Sequence, residues 1–465
     1  MKENKNLLKD TVFYGGSQIV GKVVTIFTLP VLLNLLEPEN YGKIAIYIGF
    51  QQIFSIYISS GARPSVNKFY GNLTSDNQKI FLKYFFNKIL FKSSALLIGV
   101  IIFIYFIPNS LSVIDLMLVF TISVLIAIDA LLDPVSVVSE KAYENSLLAS
   151  ANAILAPILA IIFLYFNNSI AFYFIAIVIS YILKLSGLIY LNNSVSFSGS
   201  KTFNIKDVET YSKRNNFLSI SQKSIRWSDR IFIGLFLGAS ATGEYHSVVQ
   251  LVLILEYLTS ASITALKPFI FNSKNLNYDT INKILNSLIY TCICLATAGS
   301  FLRFNLGQAI IPRDYWIYLD LVPVIALSVV INTVYKLLSI VADYNSNDIN
   351  YINHSIIAIS AQIVLGIILI NILGVIGMLV TYLVTYSINI LLIFKEPNTG
   401  LSELSFDKIN PILIIIIYIV AEIIIGNFFS FAGGVQARWV SSFLILIIGI
   451  NEFYKLKIYT SAIEQ

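Results

Sequence analysis

The chain has 465 residues, of which 57% are hydrophobic and only 12% are charged, and its formal net charge is +5. A soluble domain is about 25% charged, so this composition excludes a soluble globular enzyme, a disordered chain and a coiled coil. The class that fits is a polytopic helical membrane protein, because long apolar segments in lipid must satisfy their backbone hydrogen bonds internally. Basic cytoplasmic loops explain the positive charge, and we expect no nucleic-acid partner.

Fourteen segments of about 20 residues are apolar enough to cross a bilayer. In chain order the predicted spans are 12–35, 42–61, 85–107, 111–132, 147–166, 170–191, 217–238, 246–266, 284–302, 317–341, 355–373, 375–394, 410–430 and 436–454. The connections between them are too short for a soluble domain of ordinary size. The predicted fold class is therefore an all-α integral membrane protein with about 14 transmembrane helices.

The distribution of Lys and Arg predicts how these spans are oriented. With the N-terminus in the cytoplasm, the cytoplasmic loops and ends carry 19 basic residues and the opposite side carries 4. Because basic loops are retained in the cytoplasm, this bias supports the span count and places both termini there. The first residues, MKENKNLLKD, do not have the pattern of a cleavable signal peptide.

A weak internal repeat relates the first six spans to the next six at an offset of 204 residues. The matching positions are Ser17-Gln18 with Ser221-Gln222, Lys22 with Arg226, Tyr41 with Tyr245, and Arg63-Pro64 with Lys267-Pro268. An offset of six spans preserves orientation, so we expect a parallel pseudo-twofold repeat about an axis along the membrane normal. The predicted domains are an N-lobe at 1–200, a C-lobe at 201–395 and a C-terminal helix pair at 396–465. Two parallel lobes with a central cleft are a design for alternating access.

Charged side chains inside the predicted spans indicate where the functional site lies, because such residues are costly in lipid. Lys223, Arg226 and Arg230 in span seven are spaced to share one helix face, and Asp229 could brace Arg226. Three cations against one carboxylate suit an anion, and the guanidinium fork suits phosphate. The further candidates for this anion site are Gln18, Lys22, Gln222, Lys184 and Lys336. The alternative is that these residues form interhelical salt bridges or reach out to the membrane interface.

Besides Asp229, four acids are predicted to be embedded in the membrane: Asp129, Asp133, Glu256 and Glu422. We expect Asp129 and Glu256 to be candidates for binding a coupling ion, since a carboxylate taken out of water can bind a proton near neutral pH. The alternative is that both acids serve as charge partners for the cations.

The sequence does not indicate enzyme chemistry. It contains no nucleotide P-loop, no His/Cys set for a metal and no Ser-His-Asp arrangement. Cys292 and Cys294 lie two apart in one apolar segment, which is typical of small apolar core residues rather than of a disulfide or zinc site. We therefore expect no catalytic residues, no metal and no cofactor.

Several short motifs follow one another in the order of a known transporter family. They are Tyr14-Gly15-Gly16-Ser17, the LEPENYG segment 36–42, Trp227-Ser228-Asp229-Arg230, Gly243-Glu244-Tyr245, Pro268-Phe269 and the GVIG segment 374–377. By these motifs the sequence resembles the bacterial polysaccharide flippases, the O-antigen and lipid-linked-oligosaccharide transporters of the multidrug/oligosaccharidyl-lipid/polysaccharide exporter superfamily. The resemblance covers most of residues 8–395. The chain departs from the family pattern near 219–221, where a common proline is missing, and at Met378-Leu379.

This resemblance implies a substrate and a cellular setting. The substrate is an undecaprenyl-diphosphate-linked oligosaccharide repeat unit, moved across the bacterial inner membrane, and the partners would include membrane lipids, a polysaccharide polymerase and a chain-length regulator. Three alternatives stay open: a cation-coupled multidrug exporter of the same superfamily, a peptidoglycan-precursor flippase, and a membrane-embedded polysaccharide polymerase. The excess of cations over acids in the spans argues against the exporter, and the short outer loops argue against the polymerase.

Overall fold

A computed structural model describes residues 21, 23–106, 112–139, 141–192, 205–272, 278–345, 351–396 and 401. These residues form helices joined by short connections and contain no strand. The helices are α1 (Val23–Leu35), α2 (Pro38–Ser59), α3 (Ala62–Phe69), α4 (Ser75–Phe106), α5 (Val113–Val138), α6 (Ala142–Phe166), α7 (Ile170–Leu191), α8 (Lys206–Phe236), α9 (Ala239–Asn272), α10 (Tyr278–Phe301), α11 (Arg303–Ile310), α12 (Val322–Asn345), α13 (Tyr351–Leu373) and α14 (Val375–Lys395). Two 3₁₀ segments, Tyr70–Asn72 and Arg313–Leu321, lie between them.

The predicted fold class, an all-α integral membrane protein, is confirmed. Within the described ranges, eight helices are long and apolar enough to cross a membrane, or nine if α2 and α3 count as one bent span. Each of the first twelve predicted spans falls on a described helix, and α7 has the predicted bounds. The predicted spans 410–430 and 436–454 lie outside the described residues, as do Gln18, Lys22 and Glu422.

The helix boundaries differ from the predictions mainly at polar ends. Helix α8 begins at Lys206 instead of residue 217, so part of the predicted polar linker 192–216 is helical. Acidic residues in its first turn, Asp207 and Glu209, favour a helix start because they interact well with the positive end of the helix dipole. The short helices α3 and α11 were not predicted, since neither is long enough to show a hydrophobic period.

The chain divides into two compact units, Met1–Gly243 and Glu244–Gln465. In the first unit α2 is central: it packs against α4, α5, α7 and α8, and α6 packs against α7. A buried apolar cluster includes Ile58 of α2, Phe81 and Phe85 of α4, Leu131 of α5 and Val208 of α8. The first turn of α8 is therefore docked into the core of this unit.

In the second unit α13 and α14 pack against each other, and α12 packs against α10 and α14. The predicted lobe boundaries at residues 200 and 395 stay a prediction. Outer helix faces in both units carry exposed large apolar side chains, among them Phe166 (80% exposed) and Ile372 (69%). Such faces suit contact with lipid, whose tails are as apolar as these side chains.

A sharp break separates α2 from α3. Ser60 (φ 56°) and Gly61 (φ 70°) take the left-handed conformation, which commonly ends a helix, and the chain bends by 41°. A Cβ atom on Gly61 would lie 2.5 Å from the carbonyl oxygen of Ser212, so α8 passes directly over the break. The Ser212 hydroxyl donates a hydrogen bond of 2.5 Å to the carbonyl oxygen of Ser60, which fixes the first half of α8 against the end of α2.

Candidate anion site and buried charge network

The charged segment of α8 lies against the middle of α2. A Cβ atom on Gly49 would lie 3.2 Å from the carbonyl oxygen of Trp227, so the two helices approach closely there. In this register the Lys223 ammonium donates a 2.9 Å hydrogen bond to Gln52 Oε1. The Gln52 amide in turn donates to Gln51 Oε1 at 3.2 Å. Sequence analysis missed both glutamines, which bring neutral amides to the cationic face.

Arg230 is held by several neighbours at once. Its Nη1 lies 2.7 Å from Asp229 Oδ1 and donates to the carbonyl oxygen of Arg226 at 2.8 Å. Arg230 and Asp229 are 2% and 1% exposed. The predicted brace, Asp229, thus pairs with Arg230, and the buried pair gives the guanidinium a fixed position.

The Trp227 ring lies beneath two guanidinium groups. The Cζ atoms of Arg230 and Arg226 lie 4.5 Å and 5.7 Å from its centroid, within the range of a cation–π interaction. Lys223 and Arg226 are half-buried, whereas Gln222 is exposed. The face therefore combines one buried cation with two half-buried ones. The predicted contribution of Gln18 and Lys22 to this site falls outside the described residues.

A second set of charges joins α3, α5 and α7 within the first unit. Lys184 of α7 lies 2.6 Å from Asp129, and Arg63 of α3 lies 2.9 Å from Asp133 and 3.8 Å from Asp129. Asn145 of α6 donates to Asp133 Oδ1 at 2.9 Å. The two carboxylates are four residues apart on α5 and face the same side of the helix. Two acids and two bases form an electrically balanced network that ties four helices together.

This network brings together residues that sequence analysis placed in different roles. Lys184 was a candidate for the anion site, and Asp129 was a candidate for binding a coupling ion; in the structure they are partners. In the second unit, Lys336 lies 3.8 Å from Glu256 in the same kind of pairing. The roles of these four residues in anion binding and ion coupling stay predictions.

Two lysines of α4 were missed by sequence analysis although they lie inside predicted span three. Lys92 donates a 3.0 Å hydrogen bond to the carbonyl oxygen of Tyr57, and its ammonium lies 4.7 Å from the Tyr57 ring centroid. The Lys88 ammonium lies 5.3 Å from the centroid of the Tyr84 ring. Cations spaced to share one helix face within an apolar segment were the sequence signal for the site in span seven. Lys88 and Lys92, four residues apart in span three, show the same signal.

The described residues show no group of three or more His, Cys, Asp or Glu side chains that could hold a metal ion. Cys292 of the second unit is a buried free cysteine. The described part of the cationic face offers electrostatic and hydrogen-bonding recognition by cations, amides and an aromatic ring.

Solved structures of membrane transporters share this fold. The lipid II flippase MurJ in an inward closed conformation matches with a TM-score of 0.71 at 14% identity, over 96% of this chain and 100% of that chain. A multidrug resistance MATE family transporter of the MOP superfamily matches in its inward-facing conformation with a TM-score of 0.60 at 12% identity, over 85% of this chain and 96% of that chain. An outward-facing structure of such a transporter matches with a TM-score of 0.52 at 14% identity, over 85% and 97%. At these identities the likeness shows the fold alone.

The sequence comparison identifies the family. No curated protein matches the chain significantly. The profile of the family described as polysaccharide biosynthesis protein matches residues 7–274, which is more than half of the chain. Together with a multi-pass helical fold shared with membrane transporters and flippases, this match confirms the resemblance that the motifs predicted. The chain belongs to the polysaccharide biosynthesis protein family.

Proposed function

We propose that this protein is a flippase that moves an undecaprenyl-diphosphate-linked oligosaccharide repeat unit, of O-antigen or another surface polysaccharide, across the bacterial inner membrane by alternating access. Membership of the polysaccharide biosynthesis family supports a glycan pathway. The shared fold with a lipid II flippase supports movement of a lipid-linked cargo. In this proposal the protein is a transporter without a catalytic step.

The cationic face of α8 is the observation that carries the proposal. Lys223, Arg226 and Arg230 lie on successive turns, and the one acid among them, Asp229, is engaged by Arg230. The segment therefore has a net positive charge in a part of the chain that the span prediction places in the bilayer. A diphosphate is an anion of suitable chemistry, because guanidinium groups bind two phosphate oxygens at once and an ammonium adds charge.

Polar groups beside this face support a hydrated head group. Gln51 and Gln52 of α2 and the exposed Gln222 of α8 offer amide donors and acceptors. Amides of this kind suit sugar hydroxyls, which both donate and accept hydrogen bonds. The polyprenyl tail would stay in the lipid while the diphosphate and glycan pass through the protein.

A multidrug exporter is the second candidate, since the fold is shared with MATE transporters. Binding a cationic drug requires an accessible carboxylate. Four of the described acids in or next to the predicted spans lie against basic residues: Asp129 with Lys184, Asp133 with Arg63, Glu256 with Lys336 and Asp229 with Arg230. These pairings favour an anionic cargo over a cationic one.

The proposal includes the cellular setting. We place the protein in the inner membrane with both termini in the cytoplasm, next to a polysaccharide polymerase and a chain-length regulator. Reporter fusions test the orientation: alkaline phosphatase should be active when inserted between α6 and α7 at Asn167 and inactive at the C-terminus. Activity at the C-terminus would overturn the assignment.

The test of function replaces the half-buried guanidinium of Arg226. In cells that depend on this protein for surface glycan, Arg226→Gln should abolish the glycan seen on gels, while Arg226→Lys should retain a reduced amount because the charge is kept. Arg313→Gln removes an exposed arginine elsewhere in the chain and should leave the glycan unchanged. Each variant is compared at equal protein level in the membrane. Wild-type glycan in the Arg226→Gln strain would overturn the proposed role of the cationic face.

A further inference from the structure

Lys88 and Lys92 form a pair of like charges inside a membrane-crossing helix. They lie four residues apart on α4 and share one helix face. Both side chains are half-buried. Like charges at this spacing on a helix repel each other. Burying two cations side by side is unfavourable without compensating anions.

The groups that surround the pair do not supply that compensation. Lys92 contacts the carbonyl oxygen and the ring of Tyr57, and Lys88 contacts the hydroxyl and ring of Tyr84. No carboxylate lies within ion-pairing distance of either ammonium among the residues that the structure describes. Carbonyl oxygens and aromatic faces attract cations but carry no net charge.

One acid, Glu209 of α8, acts on Lys88 from a longer distance. Glu209 already pairs with Lys213 at 2.8 Å, and the hydrogen bond and charge of Lys213 hold the pKa of Glu209 below its ordinary value. Glu209 is therefore ionised and engaged elsewhere. The four groups Lys88, Lys92, Glu209 and Lys213 together keep two positive charges.

The pair lies at the edge of the protein. Leu90 and Phe91, which lie between the two lysines in sequence, are 47% and 75% exposed. Exposed apolar side chains on a membrane helix face lipid. On the helix surface Phe91 lies beside the lysine pair, whereas Leu90 lies on the opposite side of α4. A lipid molecule beside α4 could thus bring a phosphate group to the ammonium groups while its tails stay against Phe91.

We propose that Lys88 and Lys92, framed by Tyr57 and Tyr84, form a binding site for the anionic phosphate of a lipid head group. Two ammonium groups on one face donate charge-assisted hydrogen bonds to phosphate oxygens. The two sources of this chemistry are an anionic phospholipid of the bilayer and the diphosphate of a polyprenyl-linked cargo.

The position along α2 suggests how this site relates to the cationic face of α8, a link that rests on the proposed function. Lys92 contacts α2 at Tyr57, and Lys223 contacts it at Gln52. Five residues of α-helix separate these contacts by about 7.5 Å along the axis of α2 and by about 140° around it. The lysine pair therefore contacts α2 closer to its α3 end than Lys223 does. The distribution of Lys and Arg in the sequence predicts that this end of α2 faces the cytoplasm. A cargo diphosphate that enters from this end would meet the lysine pair before it meets Lys223.

The test measures lipid binding rather than transport. Purified protein in neutral detergent is titrated with undecaprenyl diphosphate, with phosphatidylglycerol, and with uncharged polyprenol as reference. The variant Lys88→Gln/Lys92→Gln keeps an amide donor near the Tyr57 carbonyl but loses both charges. The matched control Lys79→Gln/Lys83→Gln removes two charges from the start of the same helix. All proteins must show the same melting temperature before binding is compared.

We expect Lys88→Gln/Lys92→Gln to weaken undecaprenyl diphosphate binding by about tenfold or more, and the control pair to change it by less than about twofold. A parallel loss of phosphatidylglycerol binding would identify a general lipid-phosphate site, and a loss limited to the diphosphate would identify a cargo site. Unchanged binding of both lipids would overturn the proposal. Since the Arg226→Gln test is read from surface glycan, failure of the lysine-pair site leaves the proposed function standing, and failure of the Arg226 test leaves this binding result standing.

Discussion

The backbones of Gly42 and Gly243 lie in direct contact. A Cβ atom on Gly42 would lie 1.7 Å from the carbonyl oxygen of Ala239 and 2.8 Å from the Gly243 nitrogen, and one on Gly243 would lie 2.0 Å from the carbonyl oxygen of Pro38. The start of α2 and the start of α9 therefore meet without any side chain between them. The predicted internal repeat matches these two helix starts through Tyr41 and Tyr245. Their contact depends on glycine at positions 42 and 243.

Gly42→Ala should separate this contact and destabilise the protein. The added methyl group would overlap backbone atoms, which cannot rotate away as a side chain can, so a loss of about 1–3 kcal/mol is expected. Thermal unfolding of the purified protein measures the effect. The control is Gly99→Ala in α4, where a Cβ atom meets nothing within 4 Å; it should leave the melting temperature unchanged or raise it slightly. Equal melting temperatures for Gly42→Ala and the wild type would contradict the tight contact.

Lys184 and Asp129 should be coupled strongly in stability. Each is less than 10% exposed, and their charged atoms are 2.6 Å apart. Lys184→Met leaves a buried carboxylate short of one partner, which costs about 3–5 kcal/mol. The double variant Lys184→Met/Asp129→Asn removes both charges and should recover most of that loss.

Chemical denaturation of both variants in the same detergent measures the coupling, because residues in contact show non-additive effects. The single variant Asp129→Asn completes the cycle. If the double variant loses the sum of the two single losses, Lys184 and Asp129 act independently and the network is not the stabilising unit described above.

Much of the fold could be predicted from the sequence, because transmembrane helices are specified by local hydropathy. The bounds of α7 were predicted directly, since Phe166 and Ile170 are separated only by a short polar turn. The start of α8 could not be predicted, because the helix between residues 206 and 216 is polar and is stabilised by docking through Val208 and Ser212 rather than by an apolar run.

The candidate site was predicted only in part, for a related reason. Sequence spacing places Lys223, Arg226 and Arg230 on one helix face, and the structure agrees. Spacing does not specify which residue of another helix lies opposite, so it missed Gln52 beside Lys223 and Arg63 beside Asp133. It also did not indicate that Asp229 pairs with Arg230, the next residue in the sequence.

Trp227 should report ligand binding at the cationic face. Its ring lies under both Arg226 and Arg230, so an anion that draws either guanidinium away changes the ring's surroundings. The chain has three tryptophans, and the variant Trp316→Phe/Trp439→Phe leaves Trp227 as the single fluorophore. Adding undecaprenyl diphosphate to this protein should change its emission, and uncharged polyprenol should not.

The control for this measurement is the same single-tryptophan protein with Arg226→Gln. It should show a smaller response and need about tenfold more ligand, because one charge-assisted contact is lost. A full response in the Arg226→Gln protein would mean that the diphosphate does not approach Trp227 through this residue.

The docking of the first half of α8 onto the α2–α3 break can be tested by proteolysis. Ser212 is fully buried against Gly61 and Ser60, and the neighbouring Tyr211 ring lies 4.2 Å from the Lys68 ammonium. Ser212→Leu does not fit this contact and should raise the population of an undocked α8 end. Trypsin should then cleave at Lys213 or Arg214 about tenfold faster, since cleavage of a locally opened segment follows the free energy of opening. Thr210→Leu, at an exposed position two residues earlier in the sequence, should leave the cleavage rate unchanged. Equal rates for Ser212→Leu and Thr210→Leu would mean that the contact with Ser60 does not hold this end of α8 in place.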